Sequence, residues 1–268
     1  MKNIYLGVLI VTGATMMATG YAKFASAGEW GKYQVDDRRS GITYATPETR
    51  AMQEDDVENP AMTYVDTGAD LWKKVDGKAG KACTSCHNDA AKSMKAVGTV
   101  FPKFDPKLKK LKSLEQQINT CRTERMQAKP YKHESGKMLG MTIFVRHQSN
   151  GLPMNVSIDG PAVPFFNKGK EFYNARRGGL DMSCANCHVD NAGNRIRANL
   201  LSEGQSNGFP TYRFKWQKPG SIQRRFRGCN KNIRSTPYGY GSDEYVNLEL
   251  YVAWRGRGLP VETPAVRN

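Results

Sequence analysis

Apolar and polar residues divide this 268-residue chain into an apolar start, a polar stretch and two long segments that carry one pattern twice. The apolar run extends from Ile4 to about Met17, with Lys2 ahead of it and Ala25-Ser26-Ala27 behind. A positive end, a short apolar centre and small residues before Gly28 read as a secretory signal over residues 1–27, removed in the mature protein. A membrane anchor is the rival reading. The run is shorter than the roughly 20 residues that a spanning helix needs, and Thr12, Gly13 and Thr15 interrupt it. No later stretch could span a bilayer, so a soluble exported chain is expected. Residues 28–60 are polar, with acids at Glu54, Asp55, Asp56 and Glu58. They read as an N-terminal arm, either wrapped over the surface or a partner, or loosely ordered. Further on, Leu111, Leu114 and Ile118 recur at helical spacing and predict a helix over 111–126. Residues 71–74 and 171–174 read as the ends of helices. Residues 139–147 and 246–254 read as the last helix of each segment, although the β-branched Ile143 and Val145 also suit a strand.

The two segments are copies of each other. Asp70-Leu71-Trp72 through Gly77 to His87 matches Glu171-Phe172-Tyr173 through Gly178 to His188, at an offset of 101 (188 − 87). Phe101-Pro102 matches Phe209-Pro210, and Ser113-Leu114 and Cys121 match Ser221-Ile222 and Cys229, at an offset of 108 (229 − 121). Gly151-Leu152-Pro153 matches Gly258-Leu259-Pro260 at 107 (260 − 153), with Ile143-Phe144-Val145 against Leu250-Tyr251-Val252. A repeat of this length marks a duplicated unit. It predicts two domains, 61–160 and 161–268, after the arm.

The cysteines show what the unit holds. There are six: Cys83, Cys86, Cys121, Cys184, Cys187 and Cys229. An even count in an exported chain first suggests disulfides. Cys83-Thr84-Ser85-Cys86-His87 and Cys184-Ala185-Asn186-Cys187-His188 are instead both C-x-x-C-H, the attachment motif of a c-type haem. Two thiols one helical turn apart reach the haem vinyl groups, and the following histidine, His87 or His188, faces the iron. Neither motif has the further ligands of a zinc site nearby. Two covalent c-type haems predict an all-α fold, with tandem cytochrome c-like domains.

The other side of each iron needs a second ligand. After His188 the chain has no methionine and no histidine. The second haem is left with Cys229, a lysine such as Lys215, Lys218 or Lys231, a ligand from the other half, or none. Cys121 holds the equivalent place in the first copy, where Met126, Met138, Met141, Met154, His133 and His147 compete with it. A Cys121–Cys229 disulfide would need α-carbons within about 7 Å, which equivalent positions of two separate domains do not favour.

Charge then distinguishes the copies. The formal net charge is +15, and removing Lys2 and Lys23 with the signal leaves 15 − 2 = +13. Such a balance suits an anionic partner or substrate. Arg224, Arg225 and Arg227 precede Cys229, whereas Gln116, Gln117 and Asn119 hold those places before Cys121. Arginine binds oxyanions through a planar, permanently charged fork, and nearby cations favour a cysteine thiolate. The second copy alone therefore reads as an anion site, unless the arginines pair with haem propionates or lie on a solvated face. Lys103 to Lys112 read as an exposed basic face or a docking patch for an acidic partner.

Two C-x-x-C-H motifs, a further cysteine after each, a secretory signal and the segment Arg227-Gly228-Cys229 together resemble the SoxA family, dihaem cytochrome subunits of the sulfur-oxidising SoxAX enzymes. The resemblance covers nearly the whole mature chain. It implies a periplasmic L-cysteine S-thiosulfotransferase that joins thiosulfate to a cysteine of a SoxYZ-like carrier protein. It also implies a heterodimer with a small SoxX-like monohaem cytochrome, and electrons leaving to an external cytochrome. By the family pattern Cys229 is the active-site cysteine, as a thiol or a persulfide, with His188 opposite it. Arg225 matches the substrate-site arginine, and Arg255 is a further basic candidate. A thiosulfate dehydrogenase forming tetrathionate and a plain dihaem electron carrier are the alternatives. Nucleic acid does not suit an exported haem protein, despite the charge.

Overall fold

Four serines start helices in the same way in the two copies. The hydroxyls of Ser113, Ser135, Ser221 and Ser242 accept hydrogen bonds from the backbone N–H of Gln116, Met138, Arg224 and Tyr245. Each cap satisfies one of the N–H groups that a helix start leaves unpaired. In a computed structural model of the chain, residues 30–268 are described. The signal at 1–27 and its cleavage point lie outside them.

The first copy contains α2 (Met62–Lys73), α3 (Thr84–His87), α4 (Ala90–Ser93), α5 (Leu114–Thr120) and α6 (Gly136–His147), after α1 (Pro47–Glu54) in the arm. The second contains α7 (Val163–Asn174), α8 (Cys184–His188), α9 (Ile222–Asn232) and α10 (Asp243–Arg255). Short strands clip the loops. β1 (Gln34–Val35) pairs with β2 (Arg38–Arg39), β3 (Lys103–Asp105) with β4 (Lys110–Lys112), and β5 (Arg195–Ile196) with β6 (Asn199–Leu200), all antiparallel. β7 (Thr211–Arg213) lies between antiparallel β8 (Lys218–Gly220) and parallel β9 (Ala265–Arg267). The fold is thus mostly helical, as expected, with β-ladders where the all-α expectation had only loops. No helix among the described residues is long and apolar enough to cross a membrane.

Equivalent helices cross at equivalent glycines. A Cβ on Gly68 of α2 would lie 2.3 Å from the Gly140 carbonyl of α6, and one on Gly169 of α7 would lie 2.1 Å from the Asn247 carbonyl of α10. Only glycine allows backbones this close. Trp72, Leu114, Met138, Met141 and Val145 form the first core, with Cys83 packed against it. Phe172, Tyr173, Ile222, Phe226, Tyr245 and Leu248 form the second, with Cys184 packed against it. A third cluster joins the copies, with Leu111, Met154 and Val156 against Val246, Leu250 and Val261. Pro153 and Pro260, the same position in each copy, pair across this seam.

Two local expectations change. The helix expected over 111–126 begins at Leu114, because Leu111 is a buried strand residue of β4 and Ser113 is the cap from which α5 starts. Its end widens into a π turn over Cys121–Arg125. The arm is ordered and lies on the second copy. Ile42 is fully buried, Asn207 donates to Ser40 Oγ at 3.0 Å, and Asn59 donates to the Pro264 carbonyl at 2.9 Å. Of the basic stretch, Lys103, Lys107, Lys109 and Lys110 are exposed, whereas buried Lys112 pairs with Asp105 at 2.6 Å.

Candidate functional site

Ser183 and Asn186 form a capping box that starts α8 and so presents Cys184, Cys187 and His188. His188 Nδ1 lies 2.7 Å from the Ser202 carbonyl oxygen and donates to it. That bond fixes the tautomer and leaves Nε2 free to bind a metal. Gly204, at φ +76°, lies against the ring, where a Cβ would come within 2.8 Å of Cγ. Facing His188 is α9, with Arg225 and Cys229 four residues apart on one side of the helix. Burial alone would raise the Cys229 thiol. The charge of Arg225, the neighbouring His188 and the charge of Arg213 together lower it to about 7. Cys184 behaves oppositely: burial and then neighbouring Cys229 push it up to about 12. Cys187 is raised for the same two reasons. Cys229 is therefore the most acidic of these three thiols.

The first copy repeats the frame without the charge. Burial and then nearby Cys121 raise Cys83, so these two thiols also face each other. His87 sits beside the Trp72 ring, centroids 5.7 Å apart. Gln117, equivalent to Arg225, donates to Cys121 Sγ at 3.4 Å. A neutral amide thus stands where the second copy has a guanidinium.

The arginines separate. Arg225 faces Cys229, but Arg224 lies 3.9 Å from Glu134 and packs 4.5 Å from the Trp216 ring centroid. Arg227 donates to the Tyr238 carbonyl and lies over the Tyr240 ring. Arg255 donates to the Tyr173 hydroxyl and, at 3.1 Å, to the Glu203 carbonyl, so it braces the loop that holds His188. Burial brings its pKa down to about 10. Sequence reasoning missed Arg213 on β7. Burial, then the charge of Arg225, lowers it to about 10, and Cys229 opposes that shift. The repeat held the signal, because at the 108 offset Arg213 stands opposite Asp105 (213 − 105).

The rival ligands are placed elsewhere or remain in the first core. Met154 is buried in the seam, with Arg146 donating to its sulfur at 3.6 Å. His133 stacks on Tyr240, and His147 Nδ1 is 3.2 Å from the Thr263 carbonyl. Lys215, Lys218 and Lys231 are exposed. Met138 and Met141 lie in the first core, and Met126 is buried. All six cysteines are free, so Cys121 and Cys229 are not joined.

The SoxA/TsdA cytochrome c domain model matches residues 67–154 and 168–261. The chain belongs to the SoxA family. Among SoxA proteins, it is 47% identical to the L-cysteine S-thiosulfotransferase subunit SoxA of Pseudaminobacter salicylatoxidans, over 88% of this chain and 83% of that one. It is 44% identical to the subunit of the same name from Rhodovulum sulfidophilum, over 88% and 82%. A chain of the crystal structure of SoxXA from P. pantotrophus superposes with a TM-score of 0.83 at 46% identity, covering 86% of this chain and 87% of that chain. The cytochrome c domains imply c-type haem, and the site chemistry of this SoxA protein fits it. A positioned imidazole faces the Cys229 thiol, with two further cysteines at attachment spacing beside them.

Proposed function

We propose that this chain is the thiosulfotransferase subunit of a SoxAX enzyme, with one c-type haem in each copy and its reaction centre at Cys229. Cys83, Cys86, His87 and Cys121 would hold the first haem. Cys184, Cys187, His188 and Cys229 would hold the second. The bound haems supply one-electron acceptance.

The observation that carries this reading is the placement of Arg225 beside Cys229, with neutral Gln117 beside Cys121. Arg225, with Arg213 behind it, offers fixed positive charge to the sulfonate of thiosulfate. Held there, the outer sulfur of thiosulfate lies toward Cys229. A carrier thiol R–SH and thiosulfate, S–SO₃²⁻, become R–S–S–SO₃⁻, one proton and two electrons. One sulfur–sulfur bond forms, the carrier proton leaves to solvent, and the electrons pass singly toward a cytochrome. Against burial, the charge of Arg225 brings the Cys229 thiol down to about 7. Ser202 and Arg255 keep His188 in place.

The partners of this reading are a SoxX-like monohaem cytochrome as heterodimer, a SoxYZ-like carrier and an electron-accepting cytochrome, all in the periplasm. The test is thiosulfate-dependent cytochrome reduction by the holoprotein with its small subunit, with and without the carrier. Carrier-dependent turnover that Cys229→Ala abolishes, with both haems still attached, is the expected result. Turnover that needs no carrier and yields tetrathionate would make the chain a thiosulfate dehydrogenase.

A further inference from the structure

The seam between the copies holds a small cavity of about 20 Å³, room for a single water. Its walls come in repeat-related pairs: Phe101 with Phe209 and Leu114 with Ile222. Phe101 and Leu114 belong to the first core, whereas Phe209 and Ile222 belong to or pack on the second. The cavity therefore borders both haem-bearing cores. Its charged residues are the ones that the copies do not share. Glu115 stands opposite Gln223, Glu249 opposite Thr142, and Arg146 opposite Ala253.

These side chains are withdrawn from water. Glu115 is 9% exposed and Arg146 is 7% exposed. Ser113 Oγ donates to Glu115 at 3.0 Å, and Gln223 Nε2 donates to Glu249 at 3.0 Å. Arg146 spends one donor on Thr263 Oγ1 at 3.3 Å. Thr142, 1% exposed and on the same wall, has a hydroxyl with no hydrogen-bond partner among the described residues. Two carboxylates, Glu115 buried and Glu249 half-buried, line this cavity with one guanidinium. Both cannot ionise without leaving a negative charge uncompensated in a low dielectric.

We propose that Glu115 and Glu249 form a binding site for one proton, shared between them through a water held by Thr142, and that its occupancy follows the redox state of the two cores. The reading rests on a haem in each copy. An electron arriving in either core adds negative charge beside the pair and tightens its hold on the proton. By reciprocity a bound proton raises the electron affinity of the cores. The proton comes from solvent and returns to it, and no covalent bond changes. Burial and then repulsion from Glu115 push Glu249 well above the ordinary carboxylate range, into reach of neutral pH. The charged groups facing the pair are Arg146 from α6, and Glu134, itself buried and paired with Arg224 of α9. His147 lies further out, on the Thr263 carbonyl.

The test is potentiometric titration of the holoprotein at a series of pH values, without substrate, with infrared difference spectra between the oxidised and reduced forms. Midpoint potentials should fall as pH rises through neutrality, and a protonated-carboxyl band should appear on reduction. Glu249→Gln should remove both signals while leaving haem content and ligation spectra unchanged. Glu115→Gln should do the same and stands in if the first variant folds poorly. Potentials that keep the wild-type pH dependence in both variants would overturn the proposal. Failure of the functional reading would appear separately, as absent thiosulfate turnover in the unaltered protein.

Discussion

Arg225 and Gln117 occupy the same place in the two copies, four residues before a cysteine, and each reaches that cysteine's surroundings. The duplication thus carries its own control. A role common to both cysteines would place similar residues beside both, whereas binding an anion at one of them accounts for the difference. A charge-assisted hydrogen bond to a bound group contributes roughly 1.5–3 kcal/mol, or about one to two powers of ten in binding. Arg225→Gln should therefore lower turnover at sub-saturating thiosulfate by about 10- to 100-fold, with haem content intact, while Gln117→Arg has little effect. Normal turnover in Arg225→Gln would move the anion to another residue. Arg213→Gln should also weaken thiosulfate binding, by less, because Arg213 stands behind Arg225; a binding isotherm with thiosulfate checks this. Arg225 was legible in the sequence through its match to the substrate-site arginine of the family. Arg213 was not, since only the folding of β7 against the site brings it near.

Helix α9 carries Arg225 and Cys229; a serine cap starts it, and the α7–α10 crossing forms the core beside it. Ser221 satisfies the Arg224 N–H at the helix start. Ser221→Ala should cost about 1 kcal/mol of stability. Gly169→Ala forces a methyl against the Asn247 carbonyl, and overpacking of this kind costs about 1–3 kcal/mol. Chemical denaturation of the holoprotein, followed by its haem absorption, measures both. Unchanged midpoints would mean that the contacts relax without cost. At this scale the sequence pattern placed α2, α5, α6, α7 and α10, among them α6 in spite of Ile143 and Val145. It failed at Leu111, whose position fits a helical period but whose chain is extended in β4. Periodicity alone cannot separate a buried strand residue from the first turn of an adjoining helix.

The whole molecule is two copies joined along an apolar seam that also holds Glu115, Glu249 and buried Arg146, with the arm laid over the second copy. The seam makes stability depend on pH. Burial, then Glu115, raises Glu249 above its ordinary value, so the protonated form is the one that folding favours. Its stabilising contribution is complete below the ordinary carboxylate pKa and is lost as pH rises through the raised value. Denaturation midpoints should fall as pH goes from mildly acidic to mildly alkaline, and Glu249→Gln should flatten that slope. An unchanged slope would place the pH dependence elsewhere. By itself the sequence determined the duplication, the haem-attachment motifs, the four-residue spacing of Arg225 to Cys229 and the contrast with Gln117, because these are local or repeated patterns along the chain. Only the tertiary structure decided which arginine faces the cysteine. Arg224, Arg225 and Arg227 leave α9 in different directions, and what each meets depends on Trp216, Glu134, Tyr238 and Tyr240 from other segments. The pairing of Glu115 with Glu249 was likewise a tertiary outcome, since 134 residues (249 − 115) separate them and only the docking of one copy on the other brings them to one cavity.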